Sequence, residues 1–391
     1  MKKKILFTIG ALDNGGVAKS LLSLLTVIDK EHYDISLLIV GRDQGRNNDV
    51  PQGVRIYTNP VMSAVVGDID GIKYLLMTGH LLLLIGCIIR LMLSVISKPW
   101  AGWWLAKLMP VVTKEEYDLI VDYNGQHMLY YMVDKLKGRK KVTFFHSDYK
   151  RWRYYERMDR CYYKKVDKIF TISDICVNSL KEIFPEVADK VSLMENISSP
   201  TYINRQALQP IDWNRRHKYV LISLGHVCVN KGSDLAMQVA KRLNDEGIDF
   251  EWLFLGTISN DMDYQGFVNR ERLTDHISFL GNVKNPYPYI KKADLFVHLS
   301  RFEGKSIALD EAKIMCKPIV VTNFSSVNDQ FTDGVNSIIC EMSPEDATHK
   351  IIALLLDDSL RKKLTLRLQS ELHDNSSEVE KIYNLVDIGN E

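Results

Sequence analysis

The sequence predicts an α/β protein built as two successive domains, each a mostly parallel sheet with helices on its faces. Three observations carry this. The chain has 391 residues, too many for one comfortable hydrophobic core. Short β-branched or aromatic runs alternate with helical patterns, the signature of parallel strands joined by crossover helices. A polar stretch, Asn196 to His217, broken by Pro200 and Pro210, separates two such series and reads as an inter-domain connection.

Composition narrows the function classes. With 46% hydrophobic and 25% charged residues the chain is an ordinary ordered globular protein. Its 50 basic and 49 acidic residues leave a net charge of +1, which argues against general nucleic-acid binding. The six cysteines are scattered, with no C-x-x-C pair and no histidine at zinc spacing. That pattern suits reduced thiols in a cytosolic protein better than a disulfide framework or a zinc site. The opening MKKKILFTIG has too short an apolar run before Asp13 to be a signal peptide, and reads as a first core strand.

Taken in order, Lys4–Ile9 is the first expected strand, Gly15-Gly16 a turn, and Val17–Ile28 a helix. Further strands are expected at Ile35–Val40, Asp118–Asp122, Val142–Phe145 and Lys168–Ile172. After the connection, strands fall at Tyr219–Leu224, Phe250–Leu255, Ile277–Leu280, Leu295–Leu299 and Pro318–Thr322, with helices at Ser233–Leu243 and Ser306–Ile314. Helical patterns at Pro344–Leu356, Ser359–Leu372 and Ser377–Leu385 finish the chain. The expected division is residues 1–197, residues 198–377, and a last helix over 378–391 that crosses back to the first domain. An apolar insertion occupies about 72–105.

That insertion departs from the α/β alternation. Tyr74 to Ile89 carries no formal charge, and a further apolar run follows Arg90 to Ile96. Fewer than about 18 uncharged residues is short for a membrane span. Lys73, Arg90, Lys98, Trp100, Trp103 and Trp104 surround it, as expected of a helix lying at a membrane interface. A buried core helix and a true span are the alternatives. Lys135 to Lys168 is locally basic with interleaved aromatics such as Trp152 and Tyr154. It reads either as a face meeting lipid headgroups or a phosphate-bearing acceptor, or as a merely solvated face.

Candidate chemistry concentrates in Asp294–Lys313, DLFVHLSRFEGKSIALDEAK. An apolar strand runs into a turn holding Glu303 and Gly304, then a helix whose expected cap is Ser306. Glu311 lies eight positions beyond Glu303, so at about 1.5 Å of helical rise per residue the two carboxylates stand at most about 12 Å apart. Between them the helix N-terminus offers N–H groups and a partial positive charge. The layout suits a ligand with hydroxyls at both ends and phosphates between, such as a nucleoside diphosphate sugar. Two surface glutamates on a solvated turn are the plain alternative. GHVCVNKG, Gly225 to Gly232, joins a strand to a helix where phosphate loops occur. It lacks Walker A spacing, and Lys231 reads as a surface lysine or as a cation beside a diphosphate, with His226 as a second donor. Gly15-Gly16 suits either a plain turn or close backbone approach to a phosphate. His146 ends the strand KVTFF, where α/β folds place functional residues, though a lone histidine there also serves structure. No G-x-S-x-G elbow, H-E-x-x-H or paired-cysteine site supports a hydrolase.

Together these segments resemble the retaining glycosyltransferases of the GT-B fold that share a Glu-x7-Glu motif. The likeness runs through GHVCVNKG, FLG at Phe254–Gly256, the stretch ending at Lys313, PIVVTNF and the DGVNS turn at Asp333–Ser337. It is looser through NGG at Asn14–Gly16, FFHSD at Phe144–Asp148 and FTISD at Phe170–Asp174. Enzymes that build bacterial capsular or exopolysaccharide units on a lipid carrier are especially similar. The resemblance implies two Rossmann-like domains facing across a cleft, and transfer of a sugar from a UDP- or GDP-linked donor to a lipid-linked or glycan acceptor. It implies no separate cofactor, a cytoplasmic enzyme at the inner face of the cell membrane, and no nucleic-acid partner. No metal is expected, since no D-x-D pair stands at a plausible strand end. Glu303 would meet the donor sugar, Glu311 the ribose, and Lys231 the diphosphate. The backbone of Gly304, Lys305, Ser306 and Ile307 would hold phosphates and sugar, Val283 would lie near the base, His146 would contact the sugar from the acceptor side, and Gly15-Gly16 would cap the phosphates. Three features depart from the pattern: His226 where arginine is frequent, Ala18 where an acid is usual, and Asn323-Phe324-Ser325-Ser326 in place of a glycine-rich loop. A nucleotide-sugar 2-epimerase on the same fold and a non-catalytic membrane-docking subunit are the alternative readings.

Overall fold

The computed structural model describes residues 2–13, 15–42, 46–303, 305–371 and 373–387. The chain divides into two compact units, residues 1–197 with 375–391, and residues 198–374.

The first unit is built on a parallel sheet of β1 (Lys3–Ile9), β2 (Tyr33–Ile39), β3 (Val54–Tyr57), β4 (Glu116–Asp122), β5 (Lys137–Phe145), β6 (Lys168–Thr171) and β7 (Val191–Leu193), in the order β3-β2-β1-β4-β5-β6-β7. Strands β1, β2 and β4 are buried almost throughout, as near-continuous apolar runs require when helices cover both faces. Strand order reverses between β1 and β4, which pair Ile5 with Leu119 and Thr8 with Asp122. The last helix, Glu380–Asp387, closes this unit. Tyr383 stacks on Tyr33 at 4.8 Å and its hydroxyl oxygen accepts from the Asp29 N–H at 2.7 Å. Lys140 Nζ donates to the Leu385 carbonyl at 2.8 Å, tying that helix to β5.

Between β3 and β4 the apolar insertion forms the helices Pro60–Val66, Ile69–Met77, Leu81–Ile96 and Lys98–Leu108. One face of Leu81–Ile96 is core: Leu83, Leu84 and Cys87 pack against the sheet cluster. Gly86 lets the next helix approach, since a Cβ there would stand 2.4 Å from Leu108 Cδ2, and Trp104 Nε1 donates to the Gly86 carbonyl at 2.9 Å. The opposite face is open, with Leu82 85%, Val95 88% and Ile96 81% exposed. The helix is therefore core on one side and bare on the other. It has 16 residues, and among the described residues no helix is long and apolar enough to cross a membrane.

Several cations of the basic stretch Lys135–Lys168 are engaged within the unit. Lys141 Nζ donates to the carbonyls of Met132 and Val133, closing a helix C-terminus, and Lys190 does the same work at Lys164 and Val166. Lys150 pairs with Glu182, Arg153 with Glu156 and Arg160 with Glu186.

The second unit is a parallel sheet of β8 (Tyr219–Leu224), β9 (Phe250–Leu255), β10 (Ile277–Gly281), β11 (Leu295–His298), β12 (Ile319–Thr322) and β13 (Ile338–Cys340), ordered β10-β9-β8-β11-β12-β13. Its core gathers Trp252, Phe254, Met237, Leu295 and Val320 with Ile351 and Leu354. Order reverses between β8 and β11, paired Leu295 to Leu221. In open α/β sheets, the carboxyl ends at such a reversal form the natural ligand crevice.

Candidate active site

The loops after β8 and β11 meet at that reversal. Gly225 and Gly232 bound the first loop, and Gly232 is obligatory: its φ is +69°, and a Cβ would stand 1.8 Å from the Leu299 carbonyl oxygen. Arg301 stitches the loops together. Its backbone N–H donates to the Asn230 carbonyl at 3.1 Å, and its guanidinium forks onto Asp234 with two bonds of 2.6 Å. Lys231 is thereby held over the turn, and its Nζ lies 2.6 Å from Glu303 Oε1.

Glu303 is buried and doubly held. His298, the last residue of β11, donates from Nε2 to the same Oε1 at 2.8 Å. Burial alone would raise the Glu303 carboxyl, but the His298 hydrogen bond and charge, with Lys231, outweigh it and hold the group down at about 2. Glu303 is thus ionised at neutral pH. From below, Ser326 Oγ donates to the Glu303 carbonyl at 2.8 Å, and Thr322 Oγ1 to that of Ser300 at 2.6 Å.

The helix following the turn is Ile307–Ile314. Ser306 occupies the N-cap position in extended backbone, but its side chain makes no capping hydrogen bond, a correction to the expected hydroxyl cap. The N–H groups of the first turn remain directed out of the N-terminus, as in any helix. Lys305, Ser306 and Ile307 flank this end; Gly304 lies outside the described residues. Glu311 is buried within the helix and accepts from the Tyr287 hydroxyl at 2.8 Å. His226 is exposed, its Nδ1 2.6 Å from Thr257 Oγ1, and Val283 follows the carboxyl end of β10. Lys231, Glu303, Glu311, His226 and Val283 therefore all belong to the loops and helix at one edge of one sheet.

The remaining expected residues belong to the first unit. Gly15 is the N-cap of the helix Gly16–Val27, and its N–H donates to Asp13 Oδ1 at 2.8 Å. The His146 ring has a partner on each nitrogen: the Tyr123 carbonyl lies 3.1 Å from Nε2 and Asn196 Oδ1 3.0 Å from Nδ1. Burial pulls its pKa down to about 4, so it is neutral, and a sugar contact would have to replace one of these bonds.

His298, Tyr287 and Arg301 were not singled out from the sequence, and Ser326 was read only as part of the loop Asn323–Ser326 that departs from the family pattern. Only His298 left a signal, as a lone titratable residue closing an otherwise apolar strand. Among the described residues no cluster of three or more His, Cys, Asp or Glu side chains is arranged to hold a metal.

Each unit is a Rossmann-like parallel sheet, and the pair has the GT-B fold of the solved structures it superposes on. Residues 207–368, which contain the Lys231–Glu303 site, match the family "Glycosyl transferases group 1". The chain is similar to the N-acetylgalactosamine-N,N'-diacetylbacillosaminyl-diphospho-undecaprenol 4-alpha-N-acetylgalactosaminyltransferase of Campylobacter jejuni, 25% identical over 51% of this chain and 54% of that protein. It is also similar to the phosphatidylinositol N-acetylglucosaminyltransferase GPI3 subunit of Saccharomyces cerevisiae, 24% identical over 57% of this chain and 49% of that one. The chain spans about half the length of the curated relatives it matches. Among solved structures, HepE of Anabaena in complex with UDP and glucose superposes with a TM-score of 0.64 over 98% of both chains at 14% identity, a likeness of fold alone.

Proposed function

We propose that the protein is a retaining, metal-independent glycosyltransferase that moves a sugar from a nucleoside diphosphate sugar to a hydroxyl of a lipid-linked glycan at a membrane surface, in cell-surface polysaccharide synthesis. One observation carries the reading: a lysine and an ionised, buried glutamate brought to 2.6 Å across a topological switch point, beside a helix N-terminus. In the reaction the bond from the sugar C1 to the β-phosphate oxygen breaks, and its electron pair leaves with the diphosphate. The acceptor hydroxyl oxygen bonds C1 on the same face, and its proton passes to the departing phosphate. Lys231 and the N-terminal N–H groups of Ile307–Ile314 stabilise the charge that grows on the diphosphate, the part of the barrier electrostatics lowers most. Glu303 orients the donor sugar hydroxyls and Glu311 those of the ribose. UDP in the Anabaena complex and the diphospho-undecaprenol substrate in the Campylobacter protein's name support the donor and acceptor classes.

The membrane side rests on the bare face of Leu81–Ile96. From Gly71 to Lys114 the chain carries Lys73, Arg90, Lys98, Lys107 and Lys114 and no acidic residue, which suits an anionic lipid surface. The test is to offer UDP- and GDP-sugars with lipid-linked acceptors extracted from membranes, and to identify the product by mass. Transfer with retention at C1 supports the reading. Conversion of the donor with no acceptor present would mark an epimerase instead, and binding of no nucleotide sugar would overturn the reading.

A further inference from the structure

The first unit holds a recess of about 530 Å³ lined by Ser94, Lys98, Gln126, Trp152, Tyr154 and Tyr155, which the donor site does not use. Its volume is that of a small-molecule site. Trp152 and Tyr154 are each 51% exposed and meet edge-on at 6.0 Å, so two large aromatic side chains stand half-open to solvent at one depression. Lys98 Nζ lies 4.0 Å from the Tyr154 ring centroid and makes no ion pair among the described residues. Gln126 stands four residues beyond the end of β4, and Trp152 follows the carboxyl end of β5, the functional edge of a parallel sheet. The Gln126 backbone is strained for a side-chain-bearing residue, at φ +55° and ψ −129°. Strain of this kind concentrates where a side chain must be presented to a ligand. Ser94 belongs to Leu81–Ile96, so the recess opens beside the bare apolar face at Leu91, Val95 and Ile96.

Aromatic faces match the C–H face of a pyranose, and amide, hydroxyl and ammonium groups match its hydroxyls and an adjoining phosphate. We infer that this recess is the subsite for the sugar ring of the acceptor, with that acceptor's lipid chain lying along the adjacent helix. Trp152 offers the stacking face and Tyr154 the wall set edge-on beside it, Gln126 and Ser94 read hydroxyls, and Lys98 faces the phosphate that joins sugar to lipid. The inference rests on the transferase reading for the word acceptor, but the binding site stands on its own geometry.

The experiment measures binding of three probes to the full chain by tryptophan fluorescence and calorimetry: a C11 alkyl-diphosphate-linked N-acetylhexosamine, the corresponding hexose compound, and the C11 alkyl diphosphate alone. The expected result is saturable binding of a sugar-bearing probe, weakened at least about ten-fold by Trp152→Ala with Tyr154→Ala, and largely restored by Trp152→Phe with Tyr154 intact. Donor hydrolysis by the double variant stays at the parent rate while transfer to acceptor falls. Equal affinity for the sugar-free probe, no effect of the double variant, or no binding of either sugar probe overturns the subsite. If the parent binds a sugar probe yet neither binds nor hydrolyses any nucleotide sugar, the transferase reading fails and the recess remains a glycolipid site.

Discussion

Lys231 and Glu303, contributed by loops after two different strands, meet at 2.6 Å and neutralise each other in the ligand-free protein. On the proposed function this contact is also a placeholder. A diphosphate that recruits Lys231 takes it from Glu303, and His298 keeps the carboxylate ionised and aimed while it exchanges lysine for sugar hydroxyls. Donor binding therefore frees both halves of the site together. Lys231→Ala should lower turnover by about 10²–10³, the loss typical of removing one preorganised charge-stabilising donor. Stability should fall by only about 1–2 kcal/mol, because Glu303 keeps its histidine. Transfer assays alongside thermal melts check both, and near-parental turnover would sink the mechanism.

The Glu303 carboxyl also makes a pH prediction. Its folded value of about 2 lies below the ordinary 4.5, so its stabilising contribution is complete above 4.5 and disappears as pH falls from there toward 2. Glu303→Gln abolishes that dependence. Between pH 6 and pH 4 the variant should lose about 1 kcal/mol less stability than the parent, read from urea melts at both values. On the proposed function the same variant should still bind free UDP or GDP, since that reading gives the nucleotide to Lys231, Glu311 and the helix N-terminus, while losing discrimination among donor sugars. A parallel loss of nucleotide affinity would count against the sugar-end assignment.

Much of this arrangement was legible in the sequence, and the exceptions have physical causes. The central strands were readable because both their faces are buried, as in β1, β9 and β11. The three unforeseen strands, β3, β7 and β13, are all sheet edges of three or four residues with partly exposed patterns, too short for a periodic signal to register. Strand β5 was read from Val142 only, because its first half, Lys137 to Lys141, is polar and only partly buried, with Lys140 and Lys141 donating to the carbonyls of Leu385 and of Met132 and Val133. Glu303 stood out through its spacing to Glu311, and Lys231 through its place in a strand-to-helix loop. Tyr287 and Ser326 reach the site from other chain segments, and neither their bond to Glu311 nor that to the Glu303 carbonyl follows from a local pattern.

Asp159 sets a second pH dependence, of opposite sign. It is buried between the hydroxyls of Tyr130 and Tyr149, each donating at 2.5 Å. Burial drives its carboxyl up to about 7 against those hydrogen bonds, with nearby Asp122 adding repulsion. A raised carboxylate favours the fold while protonated, so its contribution is greatest below about 4 and is lost as pH rises through 7. Asp159→Asn removes this slope. Relative to the variant, the parent should be about 2 kcal/mol more stable at pH 5 than at pH 8, measured by denaturant unfolding. Identical profiles for the two proteins would show that Asp159 stays ionised throughout.

The final prediction concerns the bare helix face. Leu83 and Leu84 pack inward and would report on folding if changed, whereas Leu82, Val95 and Ile96 are more than 80% exposed and report on the surface alone. A combined Leu82→Ser, Val95→Ser and Ile96→Ser variant should melt at the parental temperature. If the face enters the headgroup region, each residue contributes about 1 kcal/mol, and the variant's vesicle partitioning should drop by about 100-fold. The surrounding cations add the dependence on lipid charge. Flotation with phosphatidylglycerol vesicles should exceed that with phosphatidylcholine and weaken with salt, because lipid attraction of Lys73, Arg90 and Lys98 is screened within a Debye length. Salt-insensitive partitioning that the triple variant leaves unchanged would show that this face meets no membrane.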